Sequence, residues 1–152
     1  MSGTDIKQYI RPLAICVFRR DDEIFVMECY DPTKQETFYR PLGGGIEFGE
    51  QAIATIKREL REELNTEVTN LHYLATLENI FIYDGQPGHE IVMVFDGTFI
   101  DQSIYQQELI IAVEKEADNQ EIECVWKALD FFREGHAPLY PDGLLELLDS
   151  KQ

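Results

Sequence analysis

The chain predicts an α/β domain with a mixed β-sheet, and three observations carry that prediction. Short apolar runs rich in branched and aromatic residues alternate with turn signals. One segment of about sixteen residues switches to helical periodicity in the middle of those runs. A second helical pattern, built on Leu144, Leu145, Leu147 and Leu148, closes the sequence. Strands interleaved with two or three helices are the signature of a sheet packed against helices. At 152 residues the chain fits one domain, 1–152, and its 44% hydrophobic content suffices for a real core.

The elements follow in order. Residues 13–18 (LAICVF) and 24–29 (IFVMEC) read as two strands, and the polar run Arg19-Arg20-Asp21-Asp22-Glu23 joins them as a β-hairpin. A loop with Asp31, Pro32 and Thr33 leads to a short strand at 37–40, followed by a loop formed by Gly43, Gly44 and Gly45. From 49 to 64 the apolar stripe Ile53, Ile56, Leu60 and Leu64 marks a helix. Asn65 stops that helix, because Asn tolerates the left-handed conformation. Residues 68–83 form one long or broken strand, and 89–100 form another. The turn between them holds Asp84-Gly85 and Pro87-Gly88. Residues 109–113 and 122–126 pair as a second hairpin with 117–120 at its tip, although 106–116 also fits a helix. A short helix begins at 129–133, and Asp142 caps the last one.

Charge narrows the function classes. Thirteen basic residues against 29 acidic ones give a formal net charge of −16. Such a surface excludes nucleic acid and anionic membranes as partners, since both are bound through clustered Lys and Arg. A small phosphorylated ligand is repelled as well unless a cation bridges it to the protein. No apolar stretch approaches the roughly 18 residues that a membrane-spanning helix needs. Residues 1–9 are polar and lack the apolar centre of a signal peptide. Cys16, Cys29 and Cys124 are odd in number and form neither a CxxC pair nor a zinc pattern, so they read as reduced thiols of a cytoplasmic protein.

The chemistry concentrates in residues 44–66, GGIEFGEQAIATIKRELREELNT. On the helix, Glu59, Glu62 and Glu63 stand at i, i+3 and i+4 and project from one face beside the apolar stripe. Like charges at that spacing repel one another by a few tenths of a kcal/mol per pair. A divalent cation reverses that sign, and a ligand set of hard oxygens without His or Cys selects Mg²⁺ or Mn²⁺. Taken alone, the same run also fits a solvated helix face laced with ion pairs.

The wider spacing of this segment resembles the Nudix box, G-x5-E-x7-R-E-U-x-E-E-x-G-U with U aliphatic. Gly44, Glu50, Arg58, Glu59, Leu60, Glu62 and Glu63 match in register. Asn65 stands where the family has glycine, and Thr66 where it has an aliphatic residue. The resemblance implies a Nudix-type α/β/α sandwich around a mixed sheet. It implies that Glu59, Glu62 and Glu63, with a carbonyl near Gly43 or Gly44, hold the metal, and that Arg58 and Glu50 orient the helix. The implied reaction is attack of water on a phosphorus of a pyrophosphate. The expected substrate is a nucleoside diphosphate linked to another moiety, such as ADP-ribose, a dinucleoside polyphosphate or a nucleotide sugar, or else a (d)NTP. A homodimer is expected from the family's habit alone.

Several residues outside the box enter as candidates. Arg40 and Gly44 are placed against the substrate, and Tyr83 joins them because its distance from the box resembles a feature of diadenosine polyphosphate hydrolases. Glu114, Glu116 and Glu121 are candidates for the proton acceptor beside Glu59, with a solvated surface charge as the alternative for each. His89 reads either as a phosphate contact or as a structural histidine. Trp126 and Phe48 read as stacking or packing residues. The alternative to an enzyme is a nucleotide sensor of the same fold, but such proteins commonly lose metal ligands and this chain keeps three. No EF-hand loop supports a calcium protein.

Overall fold

A computed structural model of the chain describes residues 8–150. The reading of residues 1–9 therefore lies largely outside the described residues. Eight strands form a mixed sheet with the path β5-β6-β1-β2-β8-β7, while β3 pairs β2 and β4 pairs β1. The strands are β1 (Ile10–Arg20), β2 (Glu23–Asp31), β3 (Glu36–Arg40), β4 (Leu42–Gly45), β5 (Val68–Tyr83), β6 (Gln86–Phe99), β7 (Leu109–Glu114) and β8 (Gln120–Ala128). The helices are α1 (Ala52–Leu64), α2 (Leu129–Arg133) and α3 (Leu144–Ser150), with 3-10 turns at Gln102–Gln106 and Lys115–Ala117. The β1–β6 pair is parallel and the other pairs are antiparallel.

The apolar run of β1 is buried on both faces, as a central strand with a parallel neighbour requires. Ala14, Cys16 and Phe18 enter one core with Ile56 and Leu60 of α1. Leu13, Ile15 and Val17 enter a second core with Leu129 and Phe132 of α2 and Leu144 and Leu148 of α3. The sheet thus lies between α1 and the α2/α3 pair, which is the α/β/α sandwich expected. The β1–β2 hairpin turns at Asp21, whose φ is 56°, and pairs only at Arg19 with Ile24 and Arg20 with Glu23. Beyond that point the strands part, β1 toward β4 and β6, β2 toward β3 and β8. That divergence opens the cleft described below.

Several expectations change in detail, and one alternative is settled. The triple glycine is a strand and not a loop, because its backbone pairs residue for residue with β1, Gly43 with Ile15 and Gly44 with Ala14. A Cβ on Gly43 would lie 2.1 Å from the Ala14 carbonyl oxygen, so only glycine permits this approach. The buried stripe of α1 is Thr55, Ile56, Glu59, Leu60 and Glu63, while Ile53 is 40% exposed. The helix is therefore rotated so that two of its glutamates face inward. Residues 106–116 resolve as strand β7 between 3-10 turns and not as a helix, with Leu109 to Glu114 paired to β8. Pro87 and Gly88 belong to β6, which narrows the turn to Asp84 and Gly85 at φ of 49° and 75°, a two-residue hairpin.

The helix ends behave as their residues require. Asn65 sits at φ 51° and its N–H donates to the Arg61 carbonyl at 2.9 Å, so Asn performs the glycine's role at the end of α1. Gly143, and not Asp142, directly precedes α3; the Asp142 N–H instead donates to Asn79 Oδ1 at 3.1 Å. None of the described helices is long and apolar enough to cross a membrane.

Candidate functional site

Between the parted strands β1 and β2 lies a cleft of about 930 Å³. Strand β4 and helix α1 form one end. Gly43, Gly44, Glu59, Glu62 and Glu63 all line it there. The side chains of Glu59 and Glu63 are almost wholly buried, and that of Glu62 is 36% exposed.

Arg58 organises this end. Its guanidinium donates to both oxygens of Glu50, Nε to Oε2 at 2.8 Å and Nη2 to Oε1 at 3.0 Å. Nη2 also donates to the Gly45 carbonyl at 3.0 Å, tying helix to strand. Nη1 reaches Glu59 at 3.0 Å and Glu62 at 3.4 Å. Glu50 further accepts the Thr55 hydroxyl at 2.6 Å and the Glu47 N–H at 3.2 Å. The Arg58 and Thr55 hydrogen bonds hold its carboxyl down at about 2. Arg58 is raised in turn, chiefly by its bond to Glu50. Glu50, Glu59 and Glu62 thus share one hub on Arg58, and the arginine offsets part of their mutual repulsion.

The donors fit a hard divalent cation by their chemistry, being carboxylate and carbonyl oxygens. The backbone fits as well. A Cβ on Gly44 would stand 2.4 Å from the Glu59 carboxyl carbon, so glycine lets β4 and that carboxylate approach without the side chain having to move. Among the described residues, no three His, Cys, Asp or Glu side chains are already gathered as a metal cluster. The expected triad therefore shares a cleft wall without being drawn together, and Arg58 Nη1 takes up the space between Glu59 and Glu62.

Arg40 extends from β3 into the same cleft, and its Nη2 donates to Glu114 Oε1 at 2.7 Å. Burial opposes the Arg40 charge, and Cys29, Glu114 and Glu63 beside it more than restore it. Of the candidate proton acceptors, Glu114 and Glu121 both line the cleft. The Glu116 side chain lies outside the described residues. Glu123 and Glu28 also line the wall and were missed, since no motif marks them in an acid-rich chain.

At the other end Tyr83 stands 44% exposed, with its hydroxyl donating to the Tyr30 carbonyl at 3.3 Å. Phe38 packs edge-on against it, with ring centroids 5.9 Å apart, and Tyr140 packs edge-on against Phe38 at 5.5 Å. All three rings line the cleft. Phe38 and Tyr140 were not foreseen. The alternation of Glu36, Phe38 and Arg40 along β3 is a local signal that puts Phe38 on the face of Arg40, and no local signal marks Tyr140.

The remaining candidates lie elsewhere. Trp126 is buried in the first core, stacked on Tyr105 with centroids 5.5 Å apart and beneath the Arg20 guanidinium. Phe48 is fully exposed and does not line the cleft, and neither does His89. His89 Nε2 and Trp126 Nε1 are buried without a hydrogen-bond partner among the described residues. Cys16, Cys29 and Cys124 are free thiols, and burial is the largest cause raising all three above the ordinary value.

A model of the NUDIX domain matches residues 10–142. The NAD-capped RNA hydrolase NudC of Pseudomonas aeruginosa (strain LESB58) is 30% identical over 105 residues, which cover 68% of this chain and 35% of that protein. The chain thus spans about a third of the length of the curated relatives it matches. Among solved structures, a NUDIX hydrolase from Nitrosomonas europaea is similar with a TM-score of 0.62 at 16% identity, covering 94% of this chain and 88% of that one. The E. coli ORF135 protein is similar with a TM-score of 0.59 at 23% identity, covering 94% and 91%. At these identities the solved structures show the fold.

Proposed function

The chain belongs to the NUDIX domain family, and from that premise we propose that it is a divalent-metal-dependent pyrophosphohydrolase acting on a nucleoside diphosphate linked to another moiety, or on a (d)NTP. One observation carries the reading: Glu59, Glu62 and Glu63 line the same cleft as Gly44 and Arg40, in a space suited to a small-molecule ligand. Glu59, Glu62, Glu63 and the Gly44 carbonyl would hold Mg²⁺ or Mn²⁺. Such an ion neutralises a diphosphate and lowers the pKa of bound water.

The chain's own residues supply the rest. Arg58, fixed by Glu50 and the Gly45 carbonyl, holds Glu59 and Glu62 at the rim of α1. Arg40 presents a second cationic group to the same cleft, partly committed to Glu114. Glu114 and Glu121 are the candidates to accept a proton from the attacking water, alongside Glu59. The net charge of −16 disfavours a long RNA body. The relative's NAD-capped substrate therefore suggests free dinucleotides here, within the wider class of nucleoside diphosphate compounds.

The test is incubation with Mg²⁺ and a panel of ADP-ribose, diadenosine polyphosphates, dinucleotide cofactors, nucleotide sugars and (d)NTPs, with EDTA as control and chromatographic resolution of products. Cleavage of one group, abolished by EDTA, is the expected result. Binding without cleavage across the panel would overturn it in favour of a nucleotide sensor.

A further inference from the structure

Arg58 commits its guanidinium to acceptors of the protein, and Arg40 is paired to Glu114 at 2.7 Å. Arg11 lines the cleft without such a commitment. Arg11, Leu13 and Ile15 alternate along β1, and all three line the cleft. Leu13 and Ile15 are buried, whereas the Arg11 side chain, at the outer end of that row, is 54% exposed. Its one ion pair among the described residues runs to Glu90, its neighbour across the β1–β6 ladder, at 3.9 Å. That is too long for a hydrogen bond, and an exposed pair of this kind contributes little to stability. Folding therefore does not account for a cation at this place.

Strand β4 makes room for it. A Cβ on Gly43 would strike the backbone of β1, and one on Gly44 the Glu59 carboxylate. A Cβ on Gly45 would stand 3.0 Å from Arg11 Nη2, and the only other atom near it is Arg11 Cζ at 4.0 Å. Gly45 has no positive φ, so its backbone does not call for glycine. Its missing side chain leaves space for the Arg11 guanidinium, one residue along from Gly44 and the carboxylate end. Lys34 and Lys115 also line the cleft, but both are exposed and stand in turns, whereas Arg11 is carried by a strand of the sheet.

The polar lining is otherwise largely acidic. A diphosphate held by a divalent ion at the carboxylate end therefore keeps outer oxygens that only a cation of the wall can meet. A guanidinium takes two oxygens of a phosphate at once, which an ammonium does not. We infer that Arg11 is a phosphate-binding residue of the substrate site, donating from the β1 wall to the diphosphate across the cleft from Arg40 on β3. This deepens the hydrolase reading and rests on it for the anion being a diphosphate.

The test uses methylenediphosphonate, a diphosphate mimic that carries no base and has no bond for water to cleave. It is titrated in excess Mg²⁺ into wild type, Arg11→Gln, Arg11→Lys and Arg133→Gln, followed by the protein's amide NMR spectrum, which also reports that each variant folds. Arg133 lies on α2 and does not line the cleft, so its loss changes the net charge equally without touching the site. Wild type is expected to bind saturably, with the Gly45 amide among those that move. Arg11→Gln should weaken binding roughly tenfold, and Arg11→Lys should recover part of that loss. Arg133→Gln should stay within about twofold of wild type. No saturable binding in wild type overturns the assignment, as does unchanged affinity in Arg11→Gln or an equal loss in Arg133→Gln. Because nothing is turned over, a failed cleavage panel sinks the hydrolase reading without touching this result.

Discussion

At the carboxylate end of the cleft, Glu50, Arg58, Glu59, Glu62 and Glu63 all come from residues 50–63, one helix and the turn before it. At the aromatic end, the rings stand at positions 38, 83 and 140 and meet only because a loop, a hairpin turn and a C-terminal strap are tied together. The first end is held by charge around a single arginine, the second by Asp31 and Asn79, which accept the Asp84 and Asp142 N–H groups. The difference suggests a division of labour, in which the local cluster is tuned for chemistry and the assembled wall for selection. It also predicts that the two ends fail separately when damaged.

The largest effect is expected at the carboxylate end. Glu62→Gln keeps size and helix propensity, so it should lower metal-dependent hydrolysis on the order of 10²–10³-fold at unchanged melting temperature. Unaffected hydrolysis in that variant would remove Glu62 from the metal site. Next is Arg58→Ala, which strands Glu50, Glu59 and Glu62 beside one another. Urea denaturation should show a loss of roughly 2–3 kcal/mol, since several hydrogen bonds to charged groups go at once. A loss below about 0.5 kcal/mol would mean that the hub is not structural.

Smaller effects belong to the other end and to the hub's titration. Asn79→Ala frees the strap, and roughly three- to tenfold weaker AMP binding is expected, with ribose 5-phosphate unaffected. Equal loss for both ligands would make Asn79 a general fold residue. Glu50 titrates at about 2 against an ordinary 4.5, so the folded state favours its ionised form. Its contribution is complete above about 4.5 and drains away as pH falls toward 2. The stability gap between wild type and Glu50→Gln should therefore close across that window, and a gap independent of pH would contradict the Arg58 bond. Last, Phe48→Ser should change stability by less than about 0.5 kcal/mol and leave hydrolysis as it was, because Phe48 is fully exposed and outside the cleft.

The same contrast explains what the sequence made legible. Most strands of the sheet, the C-terminal end of α1 with its Asn65 stop and the spacing of Glu59, Glu62 and Glu63 are local patterns that appear where periodicity or a short motif put them. Helix α1 begins at Ala52 and not at 49. The rotation of α1 that buries Glu59 and Glu63 while exposing Ile53 was not legible, because it depends on the cleft that the parted strands β1 and β2 open. The glycines read as a loop, since their strand exists only through pairing with β1. Tyr140 carries no sequence signal of its own, and Phe38 only its alternation with Arg40 along β3. Their proximity comes from Asp31, Asn79 and the backbone bonds of Tyr39, all of which join residues far apart in the chain.

The central claim, that one end of the cleft reacts and the other selects, is tested most directly by steady-state kinetics of Glu62→Gln and Phe38→Leu on the best substrate of the panel. The account predicts that Glu62→Gln collapses kcat with KM little changed, and that Phe38→Leu raises KM with kcat largely kept. Both substitutions lowering kcat with KM unmoved would contradict it and make the cleft a single undivided site.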